Sequence, residues 1–251
     1  MELTVLGSSA AWPDAGLAAS GYLLREDGFN AVLDLGTGVL SNLQLHIPHQ
    51  QLGAVIITHS HIDHCIDLHP LFMARLFHPE PLPPLPLFAP PGVFERVAGL
   101  EDAEGVAEMR KLFDVHEVEP GAGFEAGPLR VSTRLLPHWV PNAGLRIQAD
   151  GRVLVYTGDT GPSEEIEALA RDADAAVIEA SWRPEQAEGR PPFHLTARQA
   201  AEHAARAGAG RLVLSHFWPG ADRDASRDEA AAVFDGEITV AHEGMRLEVG
   251  G

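Results

Sequence analysis

Residues 58 to 65 read Thr-His-Ser-His-Ile-Asp-His-Cys and follow the apolar run Gly-Ala-Val-Ile-Ile of residues 53 to 57 without a break. Few features restrict a fold so tightly, because a buried strand must end where three histidines and an aspartate can be accommodated together. In extended chain alternate side chains point the same way, so His59 and His61 address one point from the strand end. Asp63 and His64 then open a helix and turn to a second point nearby. Two neighbouring sets of imidazole and carboxylate donors suit a pair of divalent metal ions, Zn²⁺ first, with Mn²⁺ and Fe as competitors.

Elsewhere the chain alternates short β-rich runs, such as "LTVLG", "NAVLDLG", "VLVYTGD", "AAVIEAS" and "RLVLSHF", with helical stretches predicted over 39–46, 64–77, 105–113, 163–171, 196–207 and 226–234. This interleaving reads as α/β with mixed sheets. Residues 21–38 and 144–161 align without a gap, each as strand, Asp-Gly turn, strand and glycine-rich loop. Asp-Gly hairpins are common enough for the match to be chance. The alternative is a pseudo-duplicated fold of two face-to-face sheets with helices outside, whose strand ends meet along one edge. The stretch 78–92 holds seven prolines and cannot be helical inside. It is either a stiff connector into the strand "LPLF" or a rigid wall over a site.

With 251 residues, 45% of them hydrophobic, the chain has material for one domain over residues 1–251 with a large core. The formal net charge of −18 repels polyanions, which argues against extended nucleic acid as a partner. One cysteine, Cys65, excludes an internal disulfide, and the opening "MELTVLGSSA" enters a strand pattern with no basic, apolar leader. A soluble cytoplasmic protein with no membrane association is expected.

A binuclear site needs further donors, and three more ionisable residues close apolar runs: His138 in "LRVSTRLLPH", Asp159 in "VLVYTGD" and His216 in "RLVLSH". The ordered pattern "THSHIDH", His138, "TGD", "LSH" resembles the metallo-β-lactamase superfamily over nearly the whole chain. That resemblance implies an αββα four-layer sandwich, two mixed β-sheets flanked by helices. It also implies that His59, His61 and His138 hold one metal, that Asp63, His64 and His216 hold the other, and that Asp159 bridges them.

Within the superfamily, Glu179 in "AVIEASW", His194 in "PFHLTARQAAEHA" and the opening "LGSSAAWP" resemble ribonuclease Z and its smaller phosphodiesterase relatives. Long-armed members insert a tRNA-binding arm between the histidine and bridging-aspartate motifs. Here only twenty residues separate His138 from Asp159, and they carry the second hairpin. The resemblance therefore implies a small anionic substrate, a phosphodiester or nucleotide such as a cyclic nucleotide, and is compatible with a homodimer. Asp63, Glu179 and His194 are the catalytic candidates. Two metals would supply a hydroxide nucleophile near neutral pH, His194 would give a hydrogen bond or proton to a phosphoryl or leaving oxygen, and Glu179 would orient it.

Several residues keep two readings. Trp139, Trp182 and Trp218, each within three residues of a site candidate, are either packing or platforms for a nucleobase. Asp34 either orients a ligand histidine or caps a turn. Cys65 is either a thiolate ligand or a small apolar residue of a first helical turn. Competing functions are RNA 3′-end cleavage of the ribonuclease Z type, glyoxalase-type thioester hydrolysis, and a non-catalytic metal-binding scaffold. The carboxy-terminal stretch lacks the basic helical extension of glyoxalases, and the missing export signal with a carboxylate at Asp159 disfavours β-lactam hydrolysis.

Overall fold

The computed structural model describes residues 1–250, and Gly251 lies outside the described residues. In chain order the strands are β1 (Glu2–Gly7), β2 (Gly21–Glu26), β3 (Phe29–Leu33), β4 (Ala54–Ile56), β5 (Leu85–Ala89), β6 (Phe113–Glu117), β7 (Gly123–Ala126), β8 (Leu129–Leu136), β9 (Asn142–Ala149), β10 (Arg152–Tyr156), β11 (Ala175–Glu179), β12 (Arg211–Ser215), β13 (Glu237–Val240) and β14 (Arg246–Glu248). The helices are α1 (Val39–Leu43), α2 (Ile62–Cys65), α3 (Leu68–Leu76), α4 (Val93–Ala98), α5 (Ala103–Leu112), α6 (Glu164–Ala170), α7 (Pro184–Ala187), α8 (Ala197–Ala207) and α9 (Arg223–Ala231).

The strands form two seven-stranded sheets, β14-β1-β2-β3-β4-β5-β6 and β7-β8-β9-β10-β11-β12-β13. Position by position the two orders correspond. In each, the first four strands pair antiparallel and the last four pair parallel. The aligned segments 21–38 and 144–161 are thus the β2–β3 and β9–β10 hairpins, at equivalent places in the two sheets. Their turns share a geometry, with φ of 48° and 77° at Asp27-Gly28 and 46° and 73° at Asp150-Gly151. Positive φ at both central residues matches the right-handed twist of the flanking strands, and Asp-Gly tolerates it.

Strand alternation sorts the apolar residues into layers. Along β10, Leu154 and Tyr156 face the other sheet while Val155 faces helices, and in β2 Leu24 points inward while Leu23 points outward. The inter-sheet core holds Leu3, Leu24, Leu33, Ile56, Leu145, Ile147, Leu154 and Val177. Separate outer cores bind α1 and α3–α5 to the first sheet and α6, α8 and α9 to the second. Among the described residues no helix is long and apolar enough to cross a membrane.

The helix predicted over 64–77 is two helices. Pro70 lacks an amide proton and its ring excludes the Ile66 carbonyl, so one helix cannot run through this point. The chain breaks at Ile66–Asp67, where the Asp67 amide donates to Leu35 O (2.8 Å) and its carboxylate accepts from Leu40 N (2.8 Å). α9 lies earlier than its predicted span 226–234, because Asp222 caps it by accepting from Ala225 N. The proline-rich stretch delivers the chain to β5, with the Arg75 guanidinium donating to Pro83 O.

Leu24 and Ile147 are equivalent inward-facing residues of β2 and β9, both fully buried in the shared core. Truncating either to alanine is expected to cost about 2–5 kcal/mol. Urea unfolding of L24A and I147A should show similar losses in a single transition; a neutral result at one position would contradict a core shared by both sheets.

Candidate metal centre

The cluster read from residues 58–64 sits where the strands of both sheets end. Beyond β4, His59 lies in the turn, His61 caps α2, and α2 carries Asp63 and His64. From the second sheet, His138 lies two residues past β8, Asp159 three past β10, Glu179 at the end of β11 and His216 immediately after β12. The edges are tied by a hydrogen bond from Ala143 N to Thr58 O (2.9 Å). Asn142 donates from its side chain to Thr157 O (2.9 Å) and Asp159 O (2.7 Å), shaping the loop that presents Asp159.

Seven side chains gather in two groups that share Asp159: His59, His61, His138 and Asp159, and Asp63, His64, Asp159 and His216, with ligand atoms within 4.8 Å of one another in each group. The surrounding hydrogen bonds determine which ring nitrogens carry protons. Asp34 accepts from Thr58 N (2.7 Å), from Thr58 Oγ1 (2.8 Å), from His64 Nδ1 (2.7 Å) and from the Tyr156 hydroxyl (2.7 Å). The Thr58 hydroxyl proton is therefore committed to Asp34, and His59 Nδ1–H donates to Thr58 Oγ1 (3.0 Å). His138 Nδ1–H donates to Phe193 O (3.1 Å). The Ser181 hydroxyl donates to Glu179 Oε2 (2.5 Å), so it accepts from His216 Nδ1–H (2.8 Å). His59, His64, His138 and His216 consequently turn unprotonated Nε2 atoms inward when neutral.

Those inward nitrogens meet each other closely. His61 Nδ1 lies 3.1 Å from His59 Nε2 and 2.9 Å from His138 Nε2, and His64 Nε2 lies 3.2 Å from His216 Nε2. His61 Nδ1, if protonated, donates to one of these nitrogens, but the lone pairs of His64 Nε2 and His216 Nε2 face each other and repel unless a proton or a cation lies between them. Asp159 Oδ1 is buried with no hydrogen-bond partner, although His64 Nε2 and His216 Nε2 approach it at 3.1 and 3.2 Å. The donor set of imidazole nitrogen and carboxylate oxygen thus fits divalent cations, with outer hydrogen bonds already orienting the rings.

The protonation preferences agree. Burial drives His59 well below the ordinary histidine range, lowers His61 to about 4 and lowers His138, favouring the neutral form that ligates metal. His64 differs: burial opposes its charged form, but Asp159, Asp34 and Asp63 together raise its pKa well above normal. Burial works against ionisation of Asp63 and Asp159 as well. The surrounding histidines outweigh it and hold both carboxyls well below the usual range, His64 first for Asp63 and His216 first for Asp159. The pocket demands cationic charge, supplied either by a second proton on His64 or by metal.

Beside this cluster stands the Glu179–His194 pair. His194 Nδ1 lies 3.0 and 3.1 Å from the Glu179 carboxylate oxygens, which also accept from Thr160 N (2.6 Å), Ser181 Oγ and Leu195 N (3.3 Å). Burial disfavours the His194 cation, but the Glu179 charge and its hydrogen bond raise the pKa to about 9. Gly161 makes the placement feasible: an ideal Cβ there would lie 1.6 Å from Pro192 O, so only glycine lets the segment leading to His194 pack on the Asp159 loop.

Sequence reasoning missed Ser181, Asn142, Tyr156 and the contact that the loop before β2, noted only for its resemblance, makes with Asp63. Ala11, at φ 57°, donates its amide to Asp63 Oδ2 (2.7 Å), so that loop orients a candidate ligand through backbone alone. Asp34, at φ 58°, is a hydrogen-bonded hub that touches His64 directly. Cys65 packs in the first outer core, and burial pushes its thiol up to about 12, consistent with an apolar role. Trp182 is 7% exposed, whereas Trp139 is 54% exposed, and Trp218 packs edge-on against Trp12.

A family model described as the β-lactamase superfamily domain matches residues 29–217. A Mycobacterium leprae protein, ML1173, is 36% identical over 255 residues, covering 99% of this chain and 89% of its own length. YhfI of Bacillus subtilis is 30% identical over 254 residues, covering 99% of this chain and all of YhfI. Its crystal structure, described as that of a metallo-β-lactamase fold protein, superposes with a TM-score of 0.89 over 98% of this chain and 99% of YhfI. A ribonuclease Z of Mycolicibacterium gilvum is 32% identical over 277 residues, covering 99% of this chain and 96% of that protein.

Removing the Ser181 hydroxyl frees the His216 tautomer and leaves Glu179 one donor short. S181A is expected to weaken binding of one divalent ion by about 10- to 100-fold, with S181T close to the parent. Competition with a chromophoric chelator reads this directly, and wild-type affinity for both ions in S181A would refute the tautomer assignment.

Proposed function

The chain belongs to the β-lactamase superfamily as a metallo-hydrolase, and we propose that it cleaves phosphodiester bonds in small anionic substrates, cyclic nucleotides above all. The observation that carries this reading is the Glu179–His194 pair set against the bipartite histidine and aspartate cluster. An anionic phosphoryl group suits a site that concentrates cationic charge at its centre and presents a charged histidine at its side.

His59, His61, His138 and Asp159 would hold one metal, and Asp63, His64, His216 and Asp159 the other. Metals bound there supply Lewis acidity and a nucleophile available at neutral pH. His194 contributes through Nε2, which has no partner among the described residues. Glu179, fixed by its own donors, anchors the opposite ring edge and stabilises the imidazolium. A protonated His194 donates to a phosphoryl oxygen or to the leaving oxygen, giving up its proton as that oxygen gains charge. The 8% exposure of His194 lets this exchange proceed with little competing water.

Small substrates are favoured over extended RNA. Between His138 and Asp159 the chain is taken up by the β9–β10 hairpin, whose strands pair from Tyr156↔Leu145 to Arg152↔Ala149 around a tight turn. No arm projects from this interval. The net charge of −18 opposes the many phosphate contacts that long nucleic acids require. The likeness to ribonuclease Z supports phosphodiester chemistry, and a cytoplasmic location and a homodimeric state are parts of the same reading.

H194Q is expected to lower kcat by about 10²- to 10⁴-fold while metal content, read by atomic emission, stays at the wild-type level. Loss of metal along with activity would make His194 a ligand. D159A should lose both metal and turnover. Among a 3′,5′-cyclic nucleotide, a 3′-extended tRNA precursor and a glutathione thioester, wild-type protein should turn over the cyclic nucleotide with the highest kcat/KM; preference for either other substrate would overturn the assignment.

A further inference from the structure

Trp139 follows the candidate ligand His138, and its indole is 54% exposed although four rings of the site surround it. Its ring centre lies 5.2 Å from that of His138, 5.3 Å from His194, 6.3 Å from His61 and 5.0 Å from Phe193. An indole kept for packing would be buried, as Trp182 is at 7% exposure. Here one edge is held by Phe193 and the histidines, while the remaining surface opens to solvent beside the reactive residues. The adjoining cleft, about 490 Å³, is walled by Leu135, Leu136, Val140 and Pro141 together with Trp139 and His138. Its two polar residues besides His138 are already engaged: Ser163 caps α6 by accepting from Glu165 N (3.2 Å), and the Glu165 carboxylate pairs with Arg134 (2.5 Å).

A phosphate at the cluster therefore has, one residue from His138, a flat aromatic surface and an apolar cleft without a free cation. That environment suits an uncharged planar group and does not suit a second phosphate. We propose that the Trp139 indole is the platform on which the planar base of the substrate stacks, making Trp139 the residue that selects base-bearing phosphodiesters. The proposal rests on the phosphodiester reading above and adds to it the residue that recognises the base and so determines specificity. Trp12, 50% exposed and edge-on to Trp218 at 5.0 Å, stands on the Asp63 side of the centre, linked to it through the neighbouring Ala11 amide. It serves as the rival platform in the test.

The experiment uses metal-loaded wild-type, W139A, W139F and W12A proteins. KM is measured for adenosine 3′,5′-cyclic phosphate and for ribose 3′,5′-cyclic phosphate, which lacks the base. Kd is measured by calorimetry for adenosine 5′-monophosphate and ribose 5-phosphate. Stacking of one base on one aromatic ring predicts that W139A raises KM and Kd of the base-bearing ligands by about 5- to 150-fold, leaves the baseless ligands unchanged, and is largely rescued in W139F. Equal effects on both kinds of ligand, no effect, or loss of base discrimination in W12A instead of W139A would overturn the proposal. The binding measurements separate it from the reaction it rests on. Trp139-dependent preference for adenosine monophosphate without phosphodiester turnover would uphold the platform and reject the reaction; turnover without base preference would reject the platform alone.

Discussion

Buried carboxylates must be matched by positive charge, and the architecture of this protein is organised around that requirement at Asp159. The carboxylate lies between two sheets, 2% exposed, with one oxygen approached by His64 Nε2 at 3.1 Å and His216 Nε2 at 3.2 Å. Histidines converge on it from strand ends on both sides, while their outer nitrogens are tied to Asp34 and Thr58 in the first sheet and to Phe193 O and Ser181 from the second. Each outer acceptor determines a tautomer, and together the tautomers present lone pairs inward. A centre arranged in this way calls for cationic charge inside it, which a second proton on His64 or a bound metal would supply.

The topological match between the sheets accounts for how such a centre can be assembled. Each sheet contributes an antiparallel half closed by an Asp-Gly hairpin and a parallel half whose strand ends open at the same edge. Parallel strands leave their carboxyl ends in loops free to carry polar side chains, while the inter-sheet core below stays apolar. The same hairpin that completes the second sheet also occupies the interval between His138 and Asp159. Fold completion and access to the centre are therefore coupled through one element.

Charge acts differently at long and short range. On the proposed function, a net charge of −18 would discourage polyanions at a distance, whereas the metal-loaded cluster and His194 would favour an anion at contact. The Trp139 platform proposed at the rim would add selection without adding charge. Exposure separates the tryptophans that were equivalent by sequence proximity: Trp182 packs, while Trp139 stays open beside the centre.

The seven candidate ligands were legible in sequence because ionisable side chains crowded at the ends of apolar strands are costly to bury unless they pair or hold a metal, whereas Glu179 and His194 were singled out only by the resemblance to ribonuclease Z. Strand periodicity alone then predicts which neighbours share a direction. The paired hairpins were legible for the same local reason, since Asp-Gly turns announce themselves. The break at Ile66–Asp67 was missed in the helix predicted over 64–77, although Pro70, four residues after Ile66, marks it locally through its missing amide. Ser181, Asn142, Tyr156 and the Ala11 amide were not legible: a serine, an asparagine or a backbone N–H has no pattern of its own, and its role depends on partners far away in the chain. Sequence by itself determined the identity of the donors and the secondary structure that carries them, through nearest-neighbour sterics and periodicity. Only tertiary structure decided which nitrogen each histidine turns inward and which tryptophan stays exposed, because both depend on contacts between the two sheets that no local rule encodes.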